Sequence, residues 1–164
     1  MGRIYESNNG IPLDYTEAMA WYRKAATQGD AQAKFYIAQL YQNGNGVNQD
    51  TTEAAAWYRL AAEQDLAAAQ NNLATLYNDG DGVKQDHVAA LGWLQKATDH
   101  GMAVAQSNLA AMYANGRGTK KNKNKAIQWY KKAAEQGDET AIEALKELTR
   151  KTKVKSPATM EKLL

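Results

Sequence analysis

Apolar positions in this chain follow two interleaved rhythms. Within short windows they return at the spacing of one helix face. Ala33, Ile37, Leu40 and Tyr41 predict a helix over residues 31–43, and Ala54, Trp57, Tyr58, Ala61 and Ala62 predict a second over 50–64. Over longer distances the whole pattern returns: Trp21, Trp57, Trp93 and Trp129 stand 36 residues apart. Tyr22, Tyr58, Leu94 and Tyr130 follow them directly, and Ala25, Ala61, Ala97 and Ala133 lie four positions after each Trp. A fixed period of this length marks a solenoid, in which no unit can bury its apolar face alone and each stacks on its neighbours.

The period divides the chain into complete units at 31–66, 67–102 and 103–138, each a pair of antiparallel helices, A and B. Residues 1–30 are expected to form a partial unit whose beginning is missing, since Tyr5 precedes Trp21 by the same 16 residues that separate Tyr41 from Trp57. After Asp138, Ala141 and Leu145 match Ala105 and Leu109, with Glu139, Glu143, Lys146 and Glu147 on the outer side, which predicts a capping helix over about 139–151. One domain, 1–151, is therefore expected, followed by a basic tail at 152–164 that Pro157 interrupts and that is expected to be mobile. Gly44, Gly80 and Gly116 fall where helix A must stop, at the left-handed C-terminal position. Gly29, Gly101 and Gly137 end helix B, with Asp65 in that slot in the first complete copy. Asp14 and Asp50 occupy the N-cap position, with Glu17 and Glu53 three residues on in capping-box pattern. Ala33, Ala69, Ala105 and Ala141 should let helices approach closely while the Trp ring fills the gap between units as a core residue.

The motif Tyr-x-x-Gly-x-Gly-Val (Tyr41 to Val47, Tyr77 to Val83), then Asp, then Ala-x-x-Trp-Tyr-x-x-Ala-Ala-Glu-Gln (Ala54 to Gln64) resembles the Sel-one-like repeat (SLR), a relative of the tetratricopeptide repeat, over about residues 2–150. Departures are local. Leu94 replaces the Tyr, Gly92 lies inside helix B at a cost of about 1 kcal/mol relative to Ala, and the third copy reads Gly118-Thr119-Lys120-Lys121-Asn122 in place of Gly-Val-x-x-Asp. The resemblance implies an all-α fold, a right-handed α-solenoid superhelix of helix pairs, used as an adaptor or scaffold for protein–protein interaction with helix A lining a concave groove. By the same analogy the inward-facing residues are Phe35, Gln39 and Gln42, then Asn71, Thr75 and Asn78, then Ser107, Ala111 and Ala114, flanked by Tyr36, Asn72 and Asn108. Asn and Gln carry both donors and acceptors, so a row of them can pair with the backbone of an extended peptide; the plainer alternative is a solvated polar face. The row lacks clustered Lys and Arg, so capture of a terminal carboxylate is not expected.

Charge changes the picture only locally. The net charge is +2, but residues up to Gly82 carry 5 basic and 10 acidic side chains and the remainder 15 and 8, so the halves are −5 and +7 and permit head-to-tail association. Arg117, Lys120, Lys121, Lys123 and Lys125, with Lys151, Lys153 and Lys155, form the one basic concentration. Such a run can neutralise phosphates, yet no aromatic residues are interleaved for base stacking, so it is taken as solvated loop and tail and no nucleic-acid partner is expected. The absence of cysteine excludes disulfides and thiolate metal sites. The first twenty residues contain Glu6, Asp14 and Glu17 and no apolar run, so no signal peptide is apparent; this favours the cytoplasm, or the periplasm or exterior if the N-terminus has been removed. No stretch approaches the roughly 18 apolar residues of a membrane helix, and no membrane insertion is expected.

Asn78-Asp79-Gly80-Asp81-Gly82 has the look of a calcium loop, but aligning its turn glycine puts Tyr77 at the first ligand position and Val88 at the last, so it is assigned as a turn. His87 and His100 fall near helix ends. No Ser-His-Asp order, carboxylate pair or phosphate loop emerges, so neither catalysis, cofactor nor metal is expected. The rival is a small-molecule binder or a β-lactamase-like hydrolase, as suggested for cysteine-rich relatives of the family; this chain has no cysteine and no Ser-x-x-Lys.

Overall fold

How a unit is closed is visible at Asp50. Its carboxylate accepts the amides of Thr52 and Glu53, each at 3.0 Å, satisfying donors that have no partner within the helix. Its own N–H donates to the carbonyl of Tyr41 at 3.0 Å, near the end of the preceding helix. Asp86 and Asn122 repeat this, donating to Tyr77 at 2.9 Å and to Tyr113 at 2.8 Å. One residue thus starts helix B and ties it back to helix A. The expected capping box is thereby corrected: the Tyr41 carbonyl takes the amide that Glu53 would have satisfied, and Glu17 instead accepts from the indole N–H of Trp21 at 3.1 Å.

The computed structural model describes residues 14–153, and all regular structure among them is helical. In chain order the helices are α1 (Tyr15–Thr27), α2 (Ala31–Asn43), α3 (Thr51–Ala62), α4 (Ala67–Asp79), α5 (His87–Asp99), α6 (Ala103–Asn115), α7 (Lys123–Glu135) and α8 (Glu139–Lys153). The even-numbered helices are the A helices and the odd-numbered ones the B helices. Close backbone packing runs between consecutive helices, as a stack requires. Helices α2, α4 and α6 all stop at a left-handed glycine, with φ of 69°, 74° and 75°. The last helix extends to Lys153, two residues beyond the expected end, so the first residues of the expected tail are helical. The partial unit's residues 1–13 and the tail from 154 lie outside the described residues.

Small residues let the helices meet. Ala33, Ala69, Ala105 and Ala141 are all buried, as are Ala61, Ala97 and Ala133. The large residue that fills the remaining space is not the one the spacing emphasised. Tyr22, Tyr58, Leu94 and Tyr130 are 5%, 0%, 3% and 7% exposed, whereas each preceding Trp is only half-buried. Trp57 and Trp93 do each touch two successive core clusters, so they bridge units as expected. Their outer faces, however, remain at the surface. Lys24, Lys96 and Lys132 lie over the rings of Trp21, Trp93 and Trp129 at 4.9, 4.3 and 4.3 Å, one helical turn on.

The second glycine of each Gly-x-Gly loop does more than turn the chain. Gly82 has φ +68°, and a Cβ placed there would collide with the Thr51 carbonyl at the start of the preceding unit's B helix. Gly118, at φ +66°, would collide with the His87 carbonyl in the same way. Backbone thus rests directly on backbone between units, and only the residue without a Cβ permits both the approach and the left-handed conformation.

Candidate interaction surface on the A helices

The face expected to meet a partner is built from α2, α4 and α6, and its residues separate by depth. Phe35, Asn71 and Ser107 occupy equivalent positions and are 9%, 6% and 4% exposed. They belong to the packed interior, which corrects their assignment to an open groove wall. Phe35 explains why: its ring centroid lies 5.6 Å from that of Tyr58 and 5.7 Å from that of Tyr36, so this position faces helix B. Tyr36, Gln39, Gln42, Asn72, Asn78 and Asn108 are half-buried, as are Ala111 and Ala114, and Thr75 is exposed.

Hydrogen bonds join these residues across units. The buried Tyr58 hydroxyl donates to Gln42 Oε1 at 2.7 Å, and also bonds with the side chain of Asn72. Burial pushes the Tyr58 phenol above its ordinary value, with the Asn72 contact acting in the opposite direction. Asn71 donates to Asn72 Oδ1 at 3.4 Å and accepts from Asn108 Nδ2 at 2.9 Å. Gln42, Tyr58, Asn72, Asn71 and Asn108 therefore form one polar ladder running from the first complete unit to the third. Polar groups at this depth are retained because they are paired. The ladder holds the outer amides in place, and Asn108, having spent one N–H on Asn71, keeps a second N–H and its carbonyl oxygen for other partners.

Between α4 and α6 the face opens into a notch of about 210 Å³. Thr75, Asn78 and Asn108 line it, three of the residues expected from the sequence, over a floor of Leu94 and Met112. Ala111, standing where Gln39 and Thr75 stand in the other units, provides the space. Two further lining residues, Asn115 and Arg117, were not among the expected site residues. Composition alone groups Arg117 with the basic run. The signal that finds it is register: it follows the helix-stop glycine, in the slot that holds Asn45 and Asp81 in the preceding units. Its backbone is fixed there by an N–H donated to the Met112 carbonyl at 3.0 Å, and its guanidinium reaches back to Asn78 Oδ1 at 3.5 Å. Asn78 is oriented for that contact by giving its own amide N–H to Asp79 at 2.7 Å.

A second polar cluster joins the ends of α3 and α5. Asp65 adopts φ +66° in the slot that is glycine in the other units. Its carboxylate accepts from His100 Nε2 at 3.1 Å and Gln70 Nε2 at 3.0 Å. The His100 hydrogen bond, then that of Gln70, holds the Asp65 carboxyl below the usual carboxylate range. His100 thus has a partner that its position near a helix end did not reveal.

Stacked helix pairs with backbone contact between units define an α-solenoid. The chain belongs to the Sel1 repeat family, whose model matches residues 1–30, 31–66, 67–102 and 103–138. Among solved structures it is similar to c5321, described as a protective antigen present in uropathogenic Escherichia coli strains displaying an SLR fold, at 39% identity and a TM-score of 0.80 over 84% of this chain and 29% of that one. It is also similar to a Sel1 repeat protein from Oxalobacter formigenes, at 38% identity and a TM-score of 0.82 over 88% of this chain and 59% of that one. Cysteine rich protein B of Helicobacter pylori shares the fold at 22% identity, with a TM-score of 0.64 over 81% of this chain and 96% of that one. This chain therefore spans less than two thirds of the first two solved chains. No match is found among curated proteins. Sel1 repeats are generally non-catalytic scaffolds that mediate protein interactions. Among the described residues no helix is long and apolar enough to cross a membrane.

Proposed function

We propose that this chain is a non-catalytic interaction module that holds an extended peptide or protein segment along its A helices. The observation carrying this is the polar ladder from Gln42 to Asn108, which keeps half-buried amides in register across three units. An extended chain laid across the A helices meets half-buried amides from successive units as it advances. Such amides serve a peptide backbone, which presents a donor and an acceptor at nearly every residue. Specificity then comes from the positions that differ between units.

The test is affinity capture followed by titration of the captured partner. Asn72→Ala combined with Asn108→Ala is expected to weaken binding about tenfold or more, the loss of one or two net hydrogen bonds, while the helical circular dichroism of the protein stays unchanged. Undiminished binding by that variant would move the site off this face.

A further inference from the structure

The notch between α4 and α6 differs from the rest of the ladder in one respect: its lining carries a charge. Thr75, Asn78, Asn108 and Asn115 are neutral, Leu94 and Met112 close the floor, and Arg117 is the one ionic side chain lining it. Among the described residues no carboxylate forms an ion pair with Arg117, and the single hydrogen bond of its guanidinium is the long one to Asn78. A guanidinium has five N–H donors in a planar fork, and Arg117 is exposed, so most of them are open to solvent or to a ligand. Asp79, the acid in this network, accepts the Asn78 amide and makes no ion pair with Arg117. Both other units place a different residue in the Arg117 slot, Asn45 and Asp81, so this cation belongs to one place along the face and not to the repeat as such.

Resting on the peptide-groove proposal above, we infer that the notch takes an aspartate or glutamate side chain of the bound segment, its carboxylate received by Arg117 and by the side-chain amide of Asn115. Charge complementarity carries this: an anion is the partner that an otherwise uncharged polar recess with one guanidinium at its rim recognises. A side chain is favoured over a chain terminus because ladder amides, Asn72 and Gln42, continue toward the first unit and the recess is a local break in that row. The bound main chain passes the notch and drops one residue into it. Arg117 then fixes the register of a segment that the amides alone would let slide.

The experiment uses four pools of nine-residue peptides, acetylated and amidated, with Asp and Glu excluded from the randomised positions. The central residue is Glu, Gln or Lys in three pools; the fourth has central Gln and a free terminal carboxylate. Retention is measured on the immobilised full chain, on Arg117→Gln, and on the Asn72→Ala with Asn108→Ala variant. The Glu pool is expected to be retained about fivefold better than the Gln pool, as suits a partly exposed ion pair, and that excess is expected to vanish in Arg117→Gln. Equal retention of Glu and Gln pools, both lost in the double Asn variant, would end the acidic-residue inference and leave the groove standing. A Glu preference that survives Arg117→Gln, or a free-carboxylate pool retained above the Glu pool, also overturns it. Retention of every pool untouched by the double Asn variant would instead remove the groove itself.

Discussion

Two sets of positions recur every 36 residues, and they age differently along the chain. At the stacking side, positions 22, 58, 94 and 130 read Tyr, Tyr, Leu and Tyr, all buried. At the open side of the A helices, positions 39, 75 and 111 read Gln, Thr and Ala, while 42, 78 and 114 read Gln, Asn and Ala. A stacking residue meets a copy of its own surroundings in every unit, so the same solution fills the gap each time. An open residue meets nothing that repeats. It is free to change from unit to unit, and the notch at Ala111 and Arg117 is one place where it does.

Substitutions on the stacking side should give the largest effects. Tyr58→Ala removes a fully buried ring and two ladder bonds, and is expected to cost about 3–5 kcal/mol in urea unfolding. Trp57→Ala, at the adjacent half-buried position, should cost about 2 kcal/mol, less than a core aromatic. Equal losses from the two would erase the distinction between the buried ring and the one at its edge. Glycines give a contrast of sign. Gly82→Ala combines a left-handed backbone with collision against Thr51 and should destabilise by at least about 2 kcal/mol. Gly92→Ala places its methyl in open space within α5 and should stabilise by about 0.5–1 kcal/mol on the same measurement.

The smallest effect is the one with a pH signature. The folded-state pKa of Asp65 is depressed, so its contribution is present above the unfolded carboxylate value, about 3.9, and is lost as pH falls through the lower folded value. The melting temperature of the protein should exceed that of Asp65→Asn at pH 5, and the gap should close as the pH drops below about 4. A gap independent of pH would assign the effect to backbone conformation at φ +66° and not to the His100 contact.

Helix positions were legible because period and punctuation agree. Residues 31–43 coincide with α2, and the B helix expected at 50–64 is trimmed to Thr51–Ala62 because Asp50 is the cap and residues 63–65 turn into the left-handed Asp65. Depth was harder to read. Trp57 and Tyr58 are adjacent on the same stripe, and periodicity alone does not say which points further inward. The lysines three residues after Trp21, Trp93 and Trp129 were the available clue, since a lysine lying over a ring marks its solvent edge. Polar chemistry at Asn71 and Ser107 points to an open wall, but a bond from Asn108 lets Asn71 be buried at little cost. Arg117 was hidden by its lysine neighbours, because its direction depends on the turn after Gly116, a feature of geometry and not of composition.

The helix A face is tested most directly by recording the two-dimensional amide spectrum of nitrogen-labelled protein during titration with the retained peptide pool. Signals of Asn72, Asn78, Asn108 and Asn115 are predicted to move, with those of Leu60 and Gln95 on the exposed sides of α3 and α5 unchanged. Shifts confined to α3 and α5 or to the lysines between Lys120 and Lys125, with the asparagine signals still, would contradict the account.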